Sequence, residues 1–446
     1  MINLFERFDL NARTLYDTLR LSNHNATTIV MEDDGFLPEG IVTPYQFFSN
    51  YRIPKQSKPL YFNEVDVPRF WEIEGNNDIA WVKDMGVKRA KINYRPNLKP
   101  RIVSHVDWYD GEGRLQYVDH YTQHGVHFAQ SVYDTSGKLI MRKYMDQQGR
   151  EVIYENFIVQ SIILHWQGQS YHFNDKVNFV LFFIRALNID LSQFIINSLG
   201  TPFAVLYYLD TNGHDILFWQ EACQGHIPGN MTLMLSGKLK RQFDVVVPDY
   251  TEYETLTQSM SIEEREHVHH AGYIYDYKKV NGYSMDVLIM TNSDQIHNLG
   301  AIVEACPFAT FHIGAVTEMS ANLTAFDTYS NVKLFPAIER ETVKQLYQKC
   351  DIYLDINEGG EIINAVRMAF DYDMLIFAYN DIAHNISVTA PENRFTKTDG
   401  GVSLQTALKD VQQKKRFFKV RHTYQKQHVQ EIEVKRFKSL ISKLSN

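Results

Sequence analysis

Hydrophobic and polar residues follow a helix-and-strand rhythm through much of the chain. Between residues 175 and 263, short apolar runs are separated by segments with helical spacing. The predicted elements are, in order, a helix capped by Asp175, a helix after Asp190, the strands FAVLYYL and DILFW, a helix from Asn230 and the strand FDVVVPD. Near the N-terminus, ARTLYDTLRLSN is a predicted helix and ATTIVM a predicted strand. Single helices between strands indicate βαβ units and a parallel sheet.

A second rhythm, the alternation of apolar and polar residues, replaces the first between residues 65 and 172. Three turn signatures recur there, DGEGR from Asp110, DTSGK from Asp134 and DQQGR from Asp146. The runs on either side are rich in Tyr, Val, Ile and His and alternate in polarity, as half-buried strands joined by hairpins do. The pattern predicts an antiparallel β-meander inserted into the first α/β domain.

The meander is rich in aromatic residues on the side predicted to face solvent. Two interpretations remain open, because such rings can fill the core face of a sheet, and Tyr and Trp are also favoured at interaction surfaces. The residues concerned are Trp108, Tyr109, Tyr117, Tyr121, Tyr133, Tyr144, Tyr154 and Trp166.

A second α/β block begins at MDVLIMTN, residues 285–292, and repeats the helix-and-strand rhythm. Its further predicted strands are ATFHIGA, VKLF, DIYLDI and DMLIFAY, and its predicted helices are DQIHNLGAIVEA, a helix near 316–327, ERETVKQLYQK and EIINAVRMAF. The pattern is of the α/β class and predicts two Rossmann-like domains facing a cleft. The predicted domains are 1–64 with 173–275, the inserted 65–172, 280–420, and a C-terminal closing helix over 421–446.

Composition and charge are those of an ordinary globular protein with one basic end. Of 446 residues, 44% are hydrophobic and 22% charged, which suits two or three domains. The net charge is −8, yet residues 411–446 hold ten Lys or Arg against Glu431 and Glu433, a local +8, so residues 1–410 carry −16. The basic segment is compatible with contact to nucleic acid or anionic lipid, but a solvated helix face is the favoured interpretation, and no nucleic-acid partner is predicted.

The cysteines and the N-terminal residues favour a cytoplasmic protein. Cys223, Cys306 and Cys350 are far apart and form no CxxC pair, so neither a disulfide framework nor a zinc site is indicated. The first ten residues contain charges where a secretion signal would be apolar, and no run of about 18 apolar residues occurs.

The segment HVHHAGYIYDY places His267, His269 and His270 close together. Metal binding is the minor interpretation, because adjacent residues of an extended segment point to opposite sides and no cysteine is near. A histidine-bearing linker between the domains is favoured, with no metal. No GxSxG, HExxH or Walker A motif occurs, so no catalytic nucleophile is indicated.

Four stretches together with the meander resemble a known family. They are TPYQFFSNY at 43–51, LFWQEACQGHIPGN at 217–230, VLIMTNSDQ at 287–295 and DIYLDINEGGEI from 351. The chain resembles the GtfB-type stabilising, non-catalytic subunit of the accessory-Sec O-GlcNAc glycosyltransferase complex of Gram-positive bacteria, which has a GT-B-like fold. The resemblance implies a hetero-oligomer with a catalytic glycosyltransferase that modifies a serine-rich-repeat adhesin in the cytoplasm. Peripheral contact of the basic C-terminal tail with the cytoplasmic face of the membrane would suit such a protein, and no cofactor is predicted.

The resemblance further implies where a sugar donor would bind. Active relatives hold the donor diphosphate with an Arg and a Lys just after the first strand of the second domain. The matching segment here, Thr291 to His297, has neither cation and contains Asp294. We therefore expect this site to repel a diphosphate.

The Glu-Gly-Gly segment also lacks a donor-binding residue that active relatives have. Glu358 matches an acidic residue that helps at the sugar, but Val366 stands where a second Glu would bind the ribose. Glu361 puts a carboxylate beside the N-terminus of the next helix, where phosphate would otherwise be favoured. The lost ligands are expected to weaken donor affinity by roughly three to six decades, so no catalytic residue is predicted.

The remaining polar groups of the predicted cleft suit an acceptor, with one tryptophan to stack on a pyranose and the others to hydrogen-bond. The predicted acceptor-binding or sugar-binding residues are Trp219, Gln220, Glu221, Asn292, Ser293, Asp294, Glu358, Gly359, Gly360 and Glu361. The leading hypothesis is a pseudo-glycosyltransferase that stabilises its catalytic partner and binds the acceptor polypeptide. The alternatives are an active retaining enzyme that uses a nucleotide sugar such as UDP-GlcNAc, and a scaffold that contacts only the partner.

Overall fold

The computed structural model describes residues 1–50, 52–53, 57–96, 101–223, 225–362 and 364–445. Three residues of stretches quoted above, Tyr51, Gln224 and Ile363, lie outside the described residues. The chain divides into two compact units, Met1–His270 with Ser439–Asn446, and Ala271–Lys438.

The first unit begins with a βαβ segment whose helices start at side-chain caps. Asp9 accepts the backbone N–H of Ala12 at 2.9 Å, and Thr43 accepts that of Gln46 at 3.0 Å. Each cap satisfies an N–H group that has no partner inside its helix. The elements are β1 (Ile2–Phe5), α1 (Leu10–Leu21), β2 (Thr27–Val30), β3 (Ile41–Val42) and α2 (Pro44–Phe48).

The inserted segment forms an antiparallel meander, as predicted, with its strands in sequence order. In each of the three predicted turns the Asp carboxylate accepts the N–H of the basic residue four positions later at 2.9 Å. Among the described residues the strands are β4 (Glu72–Gly75), β5 (Ile79–Asp84), β6 (Val87–Tyr94), β7 (Val103–Tyr109), β8 (Leu115–Tyr121), β9 (His127–Tyr133), β10 (Leu139–Met145), β11 (Glu151–Asn156), β12 (Ser161–Trp166) and β13 (Gln169–Phe173).

The two halves of the inserted sheet bury opposite faces. In β5 to β7 the buried row contains Ile92 and Val106, both 0% exposed. Followed across the register, the same row reaches Tyr154 and Ile163 in β11 and β12, and Ile163 is 38% exposed. There the opposite row, which includes Ile153, is buried. Each half of the sheet therefore has one covered face and one open face, on opposite sides.

The aromatic residues of the meander divide between the core and the surface. Tyr144 is buried and its ring stacks on that of Tyr45 at 3.9 Å, so its predicted place on a solvent face is wrong. Trp166 packs against Phe48 in the same core, with ring centroids 5.3 Å apart. Apolar contact with the helices of the first unit covers both rings, as the core interpretation requires.

The rest of the first unit completes a parallel sheet with the order β17-β16-β15-β14-β1-β2-β3. Strands β2 and β3 lie on one side of β1, and β14 to β17, which follow the meander in sequence, lie on the other side. The topological switch point, where ligands bind in such sheets, therefore lies between β1 and β14. The added elements are α3 (Lys176–Ala186), β14 (Phe194–Ile196), α4 (Thr201–Tyr208), β15 (Gly213–Phe218), α5 (Gly229–Leu235), β16 (Arg241–Val247), α6 (Tyr250–Gln258), α7 (Ile262–Glu266) and β17 (Val268–His270).

Two predicted elements of this unit are exchanged. The predicted strand FAVLYYL is helix α4, and the predicted helix after Asp190 is replaced by strand β14. Asp190 does not cap a helix; its carboxylate accepts the N–H and the hydroxyl of Ser192 in a turn. FAVLYYL has a buried face and exposes Tyr207 and Tyr208, which suits a helix, but so short an apolar run does not distinguish the two periods.

The predicted histidine linker is also wrong, because two of its three histidines, His269 and His270, lie in strand β17. This strand pairs in parallel with β16 at the edge of the first sheet. His267 immediately precedes it and accepts the N–H of Val245 at 2.8 Å through its carbonyl. The histidines therefore belong to a regular element of the first unit and its first residues.

The second unit is a parallel sheet with the order β20-β19-β18-β21-β22-β23, so its switch point lies between β18 and β21. The elements are β18 (Asp286–Thr291), α8 (Leu299–Ala305), β19 (Thr310–Ala315), α9 (Ala321–Thr324), β20 (Val332–Phe335), α10 (Arg340–Lys349), β21 (Ile352–Asp355), α11 (Ala365–Asp371), β22 (Leu375–Tyr379), β23 (Arg394–Phe395), α12 (Val402–Gln413), α13 (Lys415–His428) and α14 (Val434–Leu444). Short 3-10 turns occupy Ala325–Thr328 and Pro391–Asn393 in this unit and Phe62–Glu64 in the first unit.

The C-terminal segment differs from the single closing helix predicted for it. Helices α13 and α14 are separated at Gln430, which has a left-handed φ of 57°. Tyr273 donates its N–H to the Gln430 carbonyl at 2.7 Å, and its own carbonyl accepts the N–H of Ile432 at 2.9 Å. These backbone bonds hold the interruption in place. The last residues, Ser439–Asn446, belong to the first unit.

Candidate functional site

The predicted site residues fall into two groups, one in each unit. Seven of them lie in the second unit on the loops that follow β18 and β21, at its switch point. The other three follow β15 in the first unit. Residues at the carboxyl ends of parallel strands are well placed to bind a ligand.

In the second unit, the two switch-point loops are bonded to each other. Ile296 and Asn357 form an antiparallel bridge. Glu358 donates its N–H to the Gln295 carbonyl at 3.0 Å, and His297 donates to the Ile356 carbonyl at 3.2 Å. The crevice between β18 and β21 is therefore spanned by the protein's own backbone.

Close packing between Asn292 and Gly359 tightens this junction. A Cβ atom added to Gly359 would meet the Asn292 Oδ1 atom and lie 3.0 Å from Ser293 Cβ, so the Asn292 side chain or the loop would have to shift to admit it. At Gly360 the nearest atom to such a Cβ, Asn292 Nδ2, is 4.0 Å away, an ordinary contact. Ser293 is held by Thr291, whose hydroxyl accepts the Ser293 N–H at 3.0 Å. The Asp294 carboxylate accepts the hydroxyl of Ser320 at 3.1 Å.

Glu358 is neutralised by two basic side chains. Its carboxylate lies 2.8 Å from Lys397 Nζ and also contacts His297. The hydrogen bond from Lys397, followed by that from His297, lowers the pKa of Glu358. Lys397 therefore supplies this edge with a cation that the segment Thr291 to His297 lacks. Lys397 lies 39 residues further along the chain and is brought back by the loop after β23.

Glu361 and Val366 occupy the start of α11 as the sequence suggested. The N–H of Val366 donates to Glu361 Oε1 at 3.0 Å, so a carboxylate of the protein takes up that backbone group. The Val366 side chain is fully buried in an apolar cluster. It therefore offers a ribose neither a hydrogen-bonding atom nor an accessible surface.

His384 is a residue of this site that the sequence did not reveal. Its Nδ1 donates to the buried Asp355 carboxylate at 2.5 Å and its Nε2 to the Gly359 carbonyl at 2.7 Å. The bond to Asp355 raises the pKa of His384 to about 9, so the imidazole is charged and both nitrogens donate. The charged ring ties the Gly359 loop to the end of β21. The sequence gives one indirect signal. Asp355 is an acidic residue at the end of an apolar strand, and a buried carboxylate there needs a hydrogen-bonding partner.

In the first unit, Trp219 is 3% exposed and packs in the core. Its Nε1 lies 3.5 Å from Glu252 Oε1. The sequence predicted that a pyranose stacks on this ring. Such stacking would require the ring to become exposed first. Gln220 donates to the Asn11 carbonyl at 2.9 Å, and Glu221 is exposed.

A cavity of about 500 Å³ lies beside these residues, at the carboxyl ends of β14 and β15. Its volume is in the usual range for small-ligand pockets. Asn230 helps to shape it by donating to the Leu199 carbonyl at 3.1 Å. The cavity is lined by Leu199, Trp219, Glu221, Ala222, Cys223, His226, Pro228, Gly229 and Asn230.

Two of the three histidines considered for metal binding, His267 and His269, contact one carboxylate together with His214, whereas His270 lies 3.2 Å from the Pro248 carbonyl. Asp244 lies 3.1 Å from His267 Nδ1, 3.2 Å from His269 Nε2 and 2.6 Å from His214 Nε2. Hydrogen bonds from these rings outweigh burial and lower the pKa of Asp244. In the part of the chain that the structure describes, no group of three or more His, Cys, Asp or Glu residues could hold a metal ion.

Two parallel α/β sheets and an inserted antiparallel sheet place the chain in the GT-B-like class, as predicted. Sequence models of the GtfB N-terminal, middle and third domains match residues 2–48, 71–174 and 176–259, and the GftB/GlyA-F C-terminal domain model matches 287–435. The chain belongs to the GtfB family of stabilising proteins.

Relatives and a solved structure agree with this assignment. The UDP-N-acetylglucosamine–peptide N-acetylglucosaminyltransferase stabilizing protein GtfB of Streptococcus pneumoniae serotype 4 is 39% identical over 418 residues, 93% of each chain. The Streptococcus agalactiae protein of the same name is 40% identical over 89% of this chain and 90% of its own. A chain in the crystal structure of a GtfA/B complex bound to UDP and GlcNAc superposes with a TM-score of 0.90, at 34% identity and full coverage of both chains.

Within the ranges that the structure describes, no helix is long and apolar enough to cross a bilayer.

Proposed function

We propose that this chain is the non-catalytic, stabilising subunit of an O-GlcNAc glycosyltransferase complex and that it binds the Ser/Thr-rich acceptor polypeptide. Its relatives bear the name of a stabilizing protein of such a transferase. Chains that bind only the folded form of a partner stabilise it by mass action, which is how one subunit can keep another soluble.

The observation that carries the non-catalytic assignment is the state of the switch point in the second unit. Loop residues 295 to 297 and 356 to 358 are paired with each other there. The ammonium group of Lys397, which reaches this edge, is already engaged by Glu358. A diphosphate needs unpaired cations or free backbone N–H groups, and these contacts engage Lys397 and the N–H groups of His297 and Glu358.

Acceptor binding is supported by the cavity of the first unit and by the polar side chains around it. Glu221, His226 and Asn230 offer hydrogen-bonding groups to a sugar or a peptide. A Ser-rich disordered polypeptide makes weak, repeated contacts. A second binding site for that polypeptide raises its local concentration at the catalytic partner and lets modification continue over many sites.

For location, we propose the cytoplasm, with peripheral contact to the cytoplasmic face of the membrane. The support is the exposed basic side of α13, where Arg416 and Lys419 accompany Phe417, which is 41% exposed. Cations beside an exposed apolar side chain suit an anionic lipid surface.

Isothermal titration of the full chain with UDP-GlcNAc tests the non-catalytic assignment. No detectable heat is expected, whereas micromolar binding would support the alternative of an active retaining enzyme. Co-expression tests the stabilising role, since the catalytic partner should become soluble only with this chain. A partner that is soluble and fully active alone would overturn that role.

Acceptor binding needs a separate measurement. A GlcNAc-modified Ser-rich peptide should co-purify with this chain in the absence of the partner. No retention of that peptide would favour the scaffold that contacts only the catalytic subunit.

A further inference from the structure

Three exposed apolar side chains gather at one end of the inserted sheet. Phe70 is 86% exposed and Met85 is 99% exposed. Each lies two residues beyond Glu72 or Lys83, a pair that joins β4 to β5. Val87, the first residue of β6, is 52% exposed. We call Phe70, Met85 and Val87 the apolar tip.

The backbone at the apolar tip disfavours the residues that stand there. Trp71 donates its N–H to the Pro68 carbonyl at 3.1 Å, so Phe70 is the third residue of a tight turn, and its φ is 73°. Met85 has a φ of 47° and forms, with Gly86, the two-residue turn between β5 and β6. Glycine or asparagine is favoured at both positions, because a bulky side chain is crowded in the left-handed region. Two apolar side chains therefore face water where a small polar residue would be more stable.

The core of this half of the sheet does not account for the apolar tip. Ala80, Val82 and Ile92 are each 0% exposed and lie on the buried side of β5 and β6. Trp81, between Ala80 and Val82 in β5, faces the open side. The tip side chains lie at the end of the strands, outside this core. Their apolar surface is thus available to a ligand.

Cations adjoin the apolar tip, and each lies near an aromatic ring. The pairs, with the distance from the cation to the ring centre, are Arg69 with Phe70 at 5.0 Å, Arg89 with Trp71 at 5.9 Å and Lys88 with Trp81 at 4.0 Å. Residues 69–72 and 83–89 hold four cations against Glu72 and Asp84, a local charge of +2. The tip is therefore backed by indole rings and by positive charge.

This order of groups selects a membrane as the occupant. An apolar tip followed by Trp, Arg and Lys matches the order of acyl chains and headgroups at a bilayer surface. A protein interface needs about 20 to 30 residues on each side, whereas the tip has three. The next turn at this end of the sheet, Asp110–Arg114, is polar, and Arg114 pairs with both Asp110 and Glu112. The apolar surface therefore ends at the tip.

We propose that the apolar tip inserts into the interface of an anionic membrane. Phe70 and Met85 enter the upper acyl region, while Arg69 and Lys88 bind lipid phosphates. This inference rests on the membrane contact proposed above and adds to it an insertion site in the first unit. The basic side of α13 belongs to the second unit and is a separate attachment.

A fluorescent label at the tip measures insertion. The three cysteines of the chain are buried, so Met85→Cys in the full chain can be labelled selectively with an environment-sensitive dye. Vesicles of phosphatidylglycerol and phosphatidylcholine should shift its emission to the blue, and pure phosphatidylcholine should do so much less. Ile158→Cys is the matched control, because this residue is 60% exposed in another turn and residues 156–161 contain no cation. Its label should not shift.

Sedimentation with the same vesicles separates this inference from the proposed membrane contact. Sedimentation without a shift at position 85, or with an equal shift at position 158, would overturn the insertion site and leave the membrane contact standing. No sedimentation would reject both. A shift at position 85 caused by the catalytic subunit in place of the vesicles would also overturn the site and make the tip a protein contact.

A double variant measures what the tip contributes to affinity. Phe70→Asn with Met85→Asn should keep the fold, because asparagine tolerates a positive φ. Loss of two inserted side chains should weaken vesicle binding about ten- to a hundredfold. Ile158→Asn with Val159→Asn should leave the affinity unchanged. Equal affinities for the natural chain and the tip variant would reject the insertion site.

Discussion

The two parallel sheets differ at the carboxyl ends of their strands. In the first unit a cavity of about 500 Å³ lies at the ends of β14 and β15, next to the buried ring of Trp219 and one strand away from the switch point between β1 and β14. In the second unit the loops after β18 and β21 are bonded together, and Gly359 packs closely against the Asn292 side chain. The same topology thus leaves room for a ligand in one sheet and fills that room with protein in the other. Fold class alone does not determine which sheet binds.

The largest expected effect is the loss of stability in Trp219→Ala. Because this ring is buried in the core, its removal should cost about 3 to 5 kcal/mol of unfolding free energy. Glu221→Ala, an exposed neighbour that lines the same cavity, should change stability by less than about 0.5 kcal/mol. Urea unfolding measures both. A stable Trp219→Ala protein that lost only acceptor affinity would restore the predicted sugar-stacking role.

Gly359→Ala probes the tightness of the second switch point. The added methyl group would meet Asn292, so a cost of about 1 to 3 kcal/mol is expected, the usual penalty for overpacking. Gly360→Ala is the matched control, since its methyl group makes only ordinary contact. Thermal unfolding of the two variants side by side is the measurement. Equal stability would mean that the loops can separate easily.

The charged state of His384 predicts a pH dependence. Because its pKa is raised from 6.5 to about 9, the stabilisation is complete below about pH 6.5 and is lost as the pH rises through about 9. Screening by solvent reduces the expected loss to about 1 to 2 kcal/mol. Urea unfolding at about pH 6 and about pH 9.5 should show this decline in the natural chain and a smaller one in His384→Gln. Parallel declines would exclude His384 as the source.

The smallest effect is expected from Glu358→Gln. This substitution frees Lys397 and should shift the melting temperature by less than about 2 °C. Calorimetry should still detect no micromolar UDP-GlcNAc binding, because one cation does not replace two and the ribose ligand is absent at Val366. Lys397→Gln serves as the control. Micromolar binding in Glu358→Gln alone would show that this ion pair is what excludes the donor.

Local patterns in the sequence predicted much of the fold. The three Asp-to-basic turns and the Asp175 cap were found because each is specified by residues within five positions of one another. FAVLYYL was assigned to the wrong element because its pattern fits both a strand and a helix. Short apolar runs are inherently ambiguous in this way.

The candidate site was less predictable, because its contacts join distant parts of the chain. Glu358 and Glu361 were identified from a short motif. Lys397 and His384 were missed because they lie 39 and 29 residues from Glu358 and Asp355, their acidic partners. No local pattern predicts a contact between residues so far apart, so the sequence indicated the two loops that form the site but not the cation and the histidine that reach them.

The reversal of the buried side in the inserted sheet has a geometric consequence. The two halves of the sheet have open faces on opposite sides. In each half the other face is buried against a hydrophobic core. A molecule resting on the Trp81 side and another resting on the Ile163 side would be separated by the sheet itself. They could occupy the domain at the same time without competing for space.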